Sequence, residues 1–535
     1  MRVDLVNPPM YVNPSALTAL RPAPPLGLAY VAAAVREAGH DVRAIDAIGE
    51  SPGEKRPERG LVRLGLSETE LVRRIRPDAD VVGVGSLWSF GWPLVRSLLH
   101  AIRRARPGVT IVCGGEHFTA LPEHSMREAP IDFVVLGEGE QVTVDLLARL
   151  GKDPGFDRAA VPGIVWRTPA GELVRNPRAA RVRDVDRLPW PAWDLFDLAA
   201  YDRHGYVTGN RYGRTIPILA TRGCPYQCTY CSSPNMWTTR WYARDPADVV
   251  DEIEFLARRY GANAFPFQDL TSIIKRDWIV RFSHELLRRD LRVRWQLAAG
   301  TRCEVVDEEV VDLLYRSGCR ALYFAPESGS ERTRDLIKKR MKMDTLLRAS
   351  EIAVKRGLNL GAFLVIGFPH DTEGDLEETV SLARTLGRLG LSDVSCAVFF
   401  PIPSTELATY LFSTGRARLD DEFLMTPVHV HDRFVTEKNN YSERVSARTL
   451  TAFKYRTILA FYGALFRAHP SRFRRVLGNL FSGEETTKLD VFLNETKRAL
   501  LGLHVREDAL TRPADGAPVR RPVRGERRVL PLVSP

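Results

Sequence analysis

The sequence predicts an α/β protein with a doubly wound N-terminal domain, a partial (β/α)6 barrel and a helical C-terminal region. Short apolar segments alternate with amphipathic segments over residues 1–150 and again over 214–405. Such alternation is typical of parallel sheets built from strand–helix units. The chain has 535 residues and is 44% hydrophobic, which is enough for roughly two to four domains with sizeable cores.

The first 150 residues carry the signals of an open parallel sheet. Strands are predicted at 3–6, 41–46, 81–85, 110–113 and 132–136, and helices at 27–38, 67–75 and 92–105. Gly39 follows the first helix as a C-terminal cap, and Ser67 with Glu70 forms a capping box for the second. Because such sheets bind ligands at the carboxyl ends of their strands, the residues after these strands are binding candidates.

Glycines and polar residues follow three of these strands. Glycine lets a backbone approach a large ligand closely, although ordinary tight turns explain such glycines equally well. No G-x-G-x-x-G segment with a following acidic residue occurs, so a dinucleotide site is not supported. The candidate binding residues of this domain are Ser86, Gly114, Gly115, His117, Gly137, Glu138, Gly139 and Glu140.

Residues 151–210 are predicted to connect two domains. Within them, 162–166 and 171–174 have the pattern of a small hairpin. Trp190 and Trp193 lie among prolines, and we expect them to pack the domains together rather than to contact substrate. Beyond the connector, we expect a barrel over 211–410, a helical domain over 411–505 and a disordered tail over 506–535.

Six strand–helix units are predicted in the barrel. Its strands are expected at 216–220, 265–269, 294–298, 321–325, 360–366 and 394–399, and its helices at 245–260, 278–288, 305–317, 344–356 and 376–389. Right-handed crossovers place all the strand ends on one face, where polar residues are candidates for chemistry. Gln268, Asp269, Glu327 and the turn at Gly367 occupy such positions. Arg302 and Tyr323 have two open interpretations, as substrate contacts or as structural residues.

Three cysteines, Cys224, Cys228 and Cys231, lie at spacings of four and three in the loop after the first barrel strand. Thiolates are soft ligands that suit zinc, copper(I) or iron–sulfur clusters. A structural zinc site normally has four ligands in two knuckles, and no second C-x-x-C pair occurs elsewhere in the chain. An iron–sulfur cluster is therefore favoured, with zinc as the alternative. The other four cysteines are predicted to be buried free thiols: Cys113, Cys303, Cys319 and Cys396.

The C-x-x-x-C-x-x-C motif, with an aromatic residue before its last cysteine, resembles the radical S-adenosylmethionine (SAM) superfamily. The resemblance implies that Cys224, Cys228 and Cys231 hold a [4Fe–4S] cluster whose fourth iron binds SAM. It further implies that one electron cleaves SAM to give a 5′-deoxyadenosyl radical. The positions that match SAM contacts of the superfamily are Tyr230, Gln268, Asp269, Glu327 and Gly367.

The N-terminal domain resembles the cobalamin-binding domain of cobalamin-dependent radical SAM enzymes. The matching segments are Asn7-Pro8-Pro9, Pro24-Pro25-Leu26-Gly27, Gly39-His40-Asp41-Val42, Gly114-Gly115-x-His117-x-Thr119 and Leu136-Gly137-Glu138-Gly139-Glu140. The resemblance implies that the eight binding candidates of this domain contact cobalamin. The D-x-H-x-x-G motif, whose histidine binds cobalt in other cobalamin proteins, is absent. We therefore expect neither His40 nor His117 to bind cobalt.

The whole arrangement resembles the branch that contains the anaerobic magnesium-protoporphyrin monomethyl ester cyclase and radical SAM C-methyltransferases. This implies a methyltransferase that acts on an unactivated carbon through the deoxyadenosyl radical and methylcobalamin. The alternative is a radical SAM cyclase, ring-rearranging or oxidising enzyme without net methylation. The implied partners are a small-molecule or natural-product substrate and a low-potential electron donor such as a flavodoxin or ferredoxin.

Charge and hydropathy indicate whether the chain could be a nucleic-acid-binding protein or a membrane protein. The formal net charge is +10, and five arginines lie close to the C-terminus: Arg520, Arg521, Arg524, Arg527 and Arg528. A non-catalytic zinc- or corrinoid-binding protein with a nucleic-acid-binding tail is the competing class. No nucleic-acid-binding module accompanies the arginines, so a solvated tail is favoured and no nucleic acid is expected. Without an apolar run of about 18 residues or a signal-peptide pattern, we expect no transmembrane segment and a cytoplasmic location.

Overall fold

The computed structural model describes residues 1–13, 21–153, 155–429 and 434–501, so the predicted disorder of 506–535 and the five arginines lie outside the described residues. The elements of the first part of the chain are β1 (Arg2–Asn7), β2 (Met10–Val12), α1 (Leu26–Glu37), β3 (Asp41–Asp46), α2 (Ala47–Glu50), β4 (Lys55–Glu58), β5 (Leu61–Leu64), α3 (Glu68–Arg74), β6 (Val81–Gly85), α4 (Trp92–Ala105), β7 (Thr110–Gly114), α5 (Glu116–Ala120), α6 (Pro122–Glu128), β8 (Phe133–Val135), α7 (Gly139–Leu150), β9 (Ile164–Arg167), β10 (Leu173–Arg175) and α8 (Leu198–Arg203).

A seven-stranded sheet with the order β10-β9-β8-β7-β6-β1-β3 forms the N-terminal domain. Five neighbouring strands of this sheet, β3, β1, β6, β7 and β8, are parallel, as the alternation of strands and helices predicts. Helices α1 and α7 pack on one face and α3 and α4 on the other, so the strands are apolar on both sides. The predicted hairpin is confirmed, but β9 pairs antiparallel with β8 and thus extends this sheet.

The second part of the chain forms the barrel. Its elements are β11 (Thr221–Arg222), α9 (Ser233–Trp237), β12 (Tyr242–Ala243), α10 (Pro246–Tyr260), β13 (Ala264–Phe267), α11 (Arg276–Arg288), β14 (Arg294–Thr301), α12 (Glu308–Arg316), β15 (Cys319–Glu327), α13 (Glu331–Leu336), α14 (Met343–Arg356), β16 (Asn359–Ile366), α15 (Glu373–Leu389) and β17 (Asp393–Val398). Strands β13 to β17 form a parallel sheet in sequential order.

The first predicted barrel strand, 216–220, differs from the prediction. The segment runs parallel to β13, because the amide groups of Ile216 and Ile218 donate to Ala264 O and Pro266 O at 3.1 Å each. It forms only isolated bridges, at Thr215 and Ile218, instead of a continuous ladder. Pro217 lies between the bridges, and proline has no backbone N–H to donate. Together with β13 to β17 this segment completes six parallel positions of a partial barrel.

Five helices follow the barrel: α16 (Glu406–Ser413), α17 (Asp421–His429), α18 (Ala447–Ala468), α19 (Pro470–Ser482) and α20 (Lys488–Leu501). The helices predicted at 447–466 and 488–501 are thereby confirmed. Apolar residues of α18 pack against α15 and β17, while α20 begins beneath the barrel. There the amide groups of Lys488 and Leu489 donate to the carboxylate of Asp393 at 3.0 and 3.1 Å. Among the described helices, none is long and apolar enough to cross a membrane.

Candidate active site

The three cysteines lie in the loop that begins directly after β11. The loop is fixed by the turn at Gly223, where φ is +90° and a Cβ would overlap the Arg240 carbonyl, so only glycine fits. The amide of Thr229 donates to Ile337 O at 3.1 Å and ties the loop to the segment after α13. All three cysteine residues remain partly accessible. The loop therefore presents three thiols from a fixed backbone.

The environment of these thiols matches a metal cluster better than a single ion. Burial raises the pKa of all three thiols, that of Cys231 to about 12, so a bound metal would be needed to hold them as thiolates. Among the described residues, no three His, Cys, Asp or Glu side chains converge on one ion site. A zinc ion would require its thiolates at about 2.3 Å from one centre. A cubane cluster instead spreads the three thiolates over three irons, and this set fits it.

Glu327 connects the cysteine loop to the carboxyl end of β15. Its Oε1 accepts from the Tyr230 hydroxyl at 2.7 Å and from Lys339 Nζ at 3.1 Å. The Tyr230 ring also lies 5.6 Å from that of Phe368. Glu327 has φ of +66°, a conformation rare for a residue with a side chain, at a bulge between β15 and β16. The strained backbone thus turns a carboxylate toward the cysteine loop.

The two polar residues after β13 have different environments. Asp269 is 1% exposed and accepts from the amides of Ala220 and Thr221 at 3.2 and 2.5 Å and from the Thr221 hydroxyl at 2.6 Å. Burial raises its pKa to about 6. Its carboxylate therefore fixes the strand that leads into the cysteine loop. Gln268 has a buried Nε2 without a hydrogen-bond partner, and this donor remains free for a ligand.

Gly367 lies in the turn after β16, as the sequence predicts. Its amide and that of Phe368 donate to Oδ2 of Asp371 at 2.9 and 3.0 Å. Leu450 of α18 packs so closely that a Cβ on Gly367 would lie 2.9 Å from its Cδ1. The C-terminal helix thereby supports the turn that the resemblance assigns to SAM.

The predicted cobalamin residues gather at the carboxyl edge of β6, β7 and β8. The Ser86 amide donates to Gly114 O at 3.0 Å, and the Ser86 carbonyl accepts from the His117 amide at 3.3 Å. Gly115 has φ of +107°, and a Cβ there would lie 2.5 Å from the Ser86 carbonyl oxygen. The Gly137 amide donates to the Thr119 hydroxyl at 2.9 Å. The edge is thus formed largely by backbone that a large planar ligand can approach.

The His117 ring, in contrast, belongs to the core. It is fully buried and contacts Ser89 at 3.1 Å through Nδ1 and Ser125 at 3.2 Å through Nε2. Burial lowers its pKa to about 3, so the ring is neutral. Since both ring nitrogens contact serines, the ring is held within the core, and a contact of His117 with cobalamin stays a prediction. His40 lies 3.3 Å from the Met1 amino group at the opposite edge of the sheet.

Glu138 and Glu140 also have partners that the sequence did not indicate. Arg222 donates to Oε1 of Glu138 at 3.2 Å and to Oε1 of Glu140 at 2.6 Å. Arg181 donates to the other Glu138 oxygen at 2.6 Å. All four side chains are almost fully buried. These carboxylates therefore join the N-terminal domain to the cysteine loop, whose first cysteine comes two residues after Arg222, and their contact with cobalamin stays a prediction.

The carboxyl edge of the N-terminal sheet faces the cysteine loop across this junction. A Cβ on Gly137 would lie 3.5 Å from the Met236 carbonyl of α9, the helix that follows Cys231. Ser404, after β17, donates to Ala120 O of α5 at 2.5 Å. Leu87 and Trp88, in the loop after β6, are 61% and 44% exposed. The edge therefore offers glycine backbone and apolar surface, which suits the corrin ring of cobalamin.

Two cations near the cysteines were not assigned a SAM or cluster role from the sequence. Lys339 is enclosed beside Glu327 and partly offsets the effect of burial on the pKa of Cys228. The Arg302 guanidinium lies 4.1 Å from the centre of the Tyr226 ring and pairs with Glu304. Lys339 is twelve positions from Glu327, and no periodic pattern links them. In the sequence, the basic run at 338–340 was the one feature that could have indicated a cation near the cysteines.

Two family models match the chain. The B12 binding domain matches residues 15–147, and the Radical SAM superfamily matches residues 218–383. The fold, the cysteine loop and the opposed strand edges thus define a radical SAM enzyme with cobalamin, SAM and a [4Fe–4S] cluster as its cofactors. An uncharacterised methyltransferase of Pyrococcus horikoshii is 30% identical over 420 residues, which cover 78% of this chain and 84% of that protein. The chain belongs to the cobalamin-dependent radical SAM enzymes.

Two further proteins illustrate the range of this family. The anaerobic magnesium-protoporphyrin IX monomethyl ester cyclase of Rubrivivax gelatinosus is 30% identical over 364 residues, which cover 68% of this chain and 62% of the cyclase. The radical SAM methyltransferase TsrM of Kitasatospora setae, solved with cobalamin and a [4Fe–4S] cluster, superposes with a TM-score of 0.64 at 18% identity. That match covers 94% of this chain and all of TsrM. The predicted enzyme class and cofactors are confirmed, and the methyltransferase interpretation is favoured over the cyclase.

Proposed function

We propose that the enzyme transfers a methyl group to an unactivated carbon of a small-molecule substrate, such as a natural product, held between the two strand edges. The observation that carries this proposal is the approach of the Gly137 edge to the α9 helix, which follows the cysteines directly. A methyl donor on one edge and a radical generator on the other would both reach one substrate atom. Such positioning lowers the entropic cost of bringing reactants together.

Each group of residues has a distinct task in this proposal. Cys224, Cys228 and Cys231 hold the cluster, which when bound supplies the electron that cleaves SAM, while cobalamin carries the methyl group. Glu327 is positioned to accept hydrogen bonds from the ribose hydroxyls of SAM, since a carboxylate has several acceptor sites. Gln268 offers its free Nε2 donor to the same ligand.

Supporting residues set the geometry and the charge. Asp269 holds the strand before the cysteine loop, and the Gly367 turn is fixed by Asp371. Lys339 and Arg302 place positive charge beside three thiolates and the SAM carboxylate, which compensates for their burial. Backbone at Gly114, Gly115 and Gly137 would contact cobalamin, with Leu87 and Trp88 covering part of the corrin.

The electron would come from a low-potential donor such as a flavodoxin or ferredoxin, and the enzyme would act in the cytoplasm. All seven cysteines are free thiols, which agrees with a reducing compartment. No nucleic-acid partner is part of this proposal.

The test uses anaerobically reconstituted enzyme with cobalamin, SAM and a low-potential reductant. We expect both 5′-deoxyadenosine and S-adenosylhomocysteine, and we expect Cys231→Ala to form no 5′-deoxyadenosine. Cys319→Ala is the matched control, because Cys319 is a buried free thiol at the start of β15, outside the cysteine loop. Deoxyadenosine without S-adenosylhomocysteine would favour the cyclase or oxidase alternative. If enzyme with a full iron load forms neither 5′-deoxyadenosine nor S-adenosylhomocysteine, the methyltransferase proposal and its alternative are both refuted.

A further inference from the structure

Mostly small residues face the interior of the barrel above one layer of large side chains. Residues of β14 to β17 alternate between the helices and the interior, and most of those that pack against the helices are large. The inward positions carry mostly small residues: Ala298, Gly300, Ala325, Gly361, Val365, Ser395 and Ala397. Four of them, Ala325, Val365, Ser395 and Ala397, remain partly accessible. Small inward side chains leave a central space below the level of Glu327.

Three side chains close the bottom of this space. The rings of Tyr323 and Phe363 stack at 5.2 Å, and the Lys488 ammonium lies 4.5 and 4.4 Å from their centres. Tyr323 precedes Glu327 by four positions on β15, on the order of 13 Å along an extended strand. The floor is thus within reach of a small molecule whose other end lies beside the SAM site.

The backbone amide of Lys488, and not its ammonium group, holds this residue at the floor of the barrel. Lys488 is the first residue of α20, and its amide donates to Oδ2 of Asp393 at 3.0 Å. The same carboxylate accepts from the Leu489 amide and from the Tyr323 hydroxyl, at 3.1 and 3.4 Å. Within the described part of the chain, the Lys488 ammonium forms no hydrogen bond and no ion pair. Burial lowers its pKa to about 8.

An anchoring role explains these observations less well than a binding role. A lysine that only fixes α20 to the barrel would be expected to pair with Asp393 through its ammonium, whereas the backbone amides already make that connection. The two aromatic rings attract the ammonium, but a buried ammonium without a hydrogen-bond acceptor still has a desolvation cost. Lys488 also remains partly accessible, and its ammonium lies against the two rings that face the barrel interior.

We propose that Lys488, between Tyr323 and Phe363, is the subsite that binds an anionic group of the substrate, a carboxylate or a phosphate. The proposal rests on the proposed function in one respect, that a substrate is held at the carboxyl edge of the barrel, and it adds that the substrate extends from there into the barrel interior. An anion there would supply the acceptor that the ammonium lacks, and the aromatic rings would exclude water from the pair. The subsite would then orient the substrate with its anionic end at the floor and its reacting carbon toward SAM.

The direct test is competitive acetylation of the holoenzyme by traces of acetic anhydride, with peptide mass spectrometry as the readout. Only the neutral amine reacts, so the rate at different pH values gives the pKa of each lysine. We expect Lys488 to titrate near pH 8 without an added anion. Saturating inorganic phosphate or acetate, in separate reactions, should raise this pKa, and the first unit of increase slows acetylation roughly fivefold at pH 8.

Lys355 is the internal control, because it lies exposed on α14, where it pairs with Glu351. Slowing at Lys488 but not at Lys355 would support the subsite, and the more effective anion would identify phosphate or carboxylate. No reaction at Lys488 under any condition would mean a sealed floor and would overturn the proposal. Equal slowing of both lysines, or none at either, would overturn it as well.

A second measurement separates the subsite from the folding of the variants. Phosphate or acetate binding by isothermal titration should be lost in Lys488→Met, retained in Lys488→Arg and unchanged in Lys355→Met. Loss of binding in both Lys488 variants, with intact folding, would contradict charge recognition. Neither measurement requires SAM cleavage, so the subsite can stand if the methyl-transfer proposal fails, and the reverse also holds.

Discussion

Arg222 donates a hydrogen bond from Nη2 to Oε1 of Glu140 at 2.6 Å, and this buried ion pair joins the cysteine loop to the cobalamin-binding sheet. The two side chains are only 4% and 6% exposed. Burial lowers the pKa of Arg222, but Glu140 and Glu138 outweigh this and raise it. The guanidinium also lies 5.0 Å from the centre of the Tyr30 ring of α1. The relative position of the two cofactor sites therefore depends on a charge cluster.

We expect Arg222→Met to lower the free energy of unfolding by about 3–5 kcal/mol, because it leaves two buried carboxylates without their cation. Urea unfolding measures this change. Arg316→Met, at an exposed arginine of α12, is the matched control and should change stability by less than about 1 kcal/mol. A similar small effect for both variants would mean that the buried pair does not hold the domains together.

Glu327→Gln should weaken SAM binding by roughly tenfold to a hundredfold, because charged hydrogen bonds contribute about 1.5–3 kcal/mol each. Isothermal titration of SAM into cluster-loaded protein gives the affinity, and the iron content verifies that the cluster is intact. The control is Glu331→Gln, since Glu331 is exposed at the start of α13. Unchanged affinity in Glu327→Gln would remove this carboxylate from the SAM site.

The raised pKa of Asp269 should make the free energy of unfolding depend on pH. Because its folded pKa rises from 3.8 to about 6, the folded state binds more protons than the unfolded chain between these values. Its contribution to stability therefore falls as the pH rises from about 4 to about 6 and stays low above that range. Asp269→Asn should remove this component, which urea unfolding at pH 4.5 and about 7 would detect. An identical pH slope in wild type and variant would contradict the raised pKa.

Asp269→Ala should be more damaging than Asp269→Asn at pH near 7. The alanine leaves the amides of Ala220 and Thr221 and the Thr221 hydroxyl without their acceptor, which costs about 1–3 kcal/mol for a buried group. We also expect the iron content after reconstitution to fall, because this strand leads into the cysteine loop. Equal stability and iron content in the two variants would show that the hydrogen bonds do not fix the loop.

Lys488→Met should make the protein more stable near pH 7. The folded pKa of Lys488 is about 8 instead of 10.5, so folding disfavours its protonated form. That cost is complete below pH 8, on the order of 3 kcal/mol, and disappears above about pH 10.5. Thermal unfolding across this range should show a variant that is stabilised near pH 7 and loses this advantage at high pH. A destabilised variant near pH 7 would favour the anchoring role.

Local sequence patterns determined the elements and the cluster loop. The period of apolar residues identified the strands β1, β3, β6 and β7 and the helices α4 and α18. The spacing of the cysteines favoured an iron–sulfur cluster and left zinc as the alternative, and this interpretation needed no distant partner because the three thiols lie on one loop. The first barrel strand was the exception, since Pro217 removes a donor that apolar character alone does not reveal.

Only the tertiary structure decided which polar side chains meet. Glu138 and Glu140 follow a glycine-rich strand end, yet their partner Arg222 is more than eighty residues away in sequence. His117 lies in a motif typical of cobalamin domains, yet the packing of Trp92 and two serines buries its ring. Lys488 looks like an ordinary helix residue until α20 docks beneath the barrel. Periodicity and spacing are local properties of the chain, whereas charge partners and burial depend on contacts between distant segments.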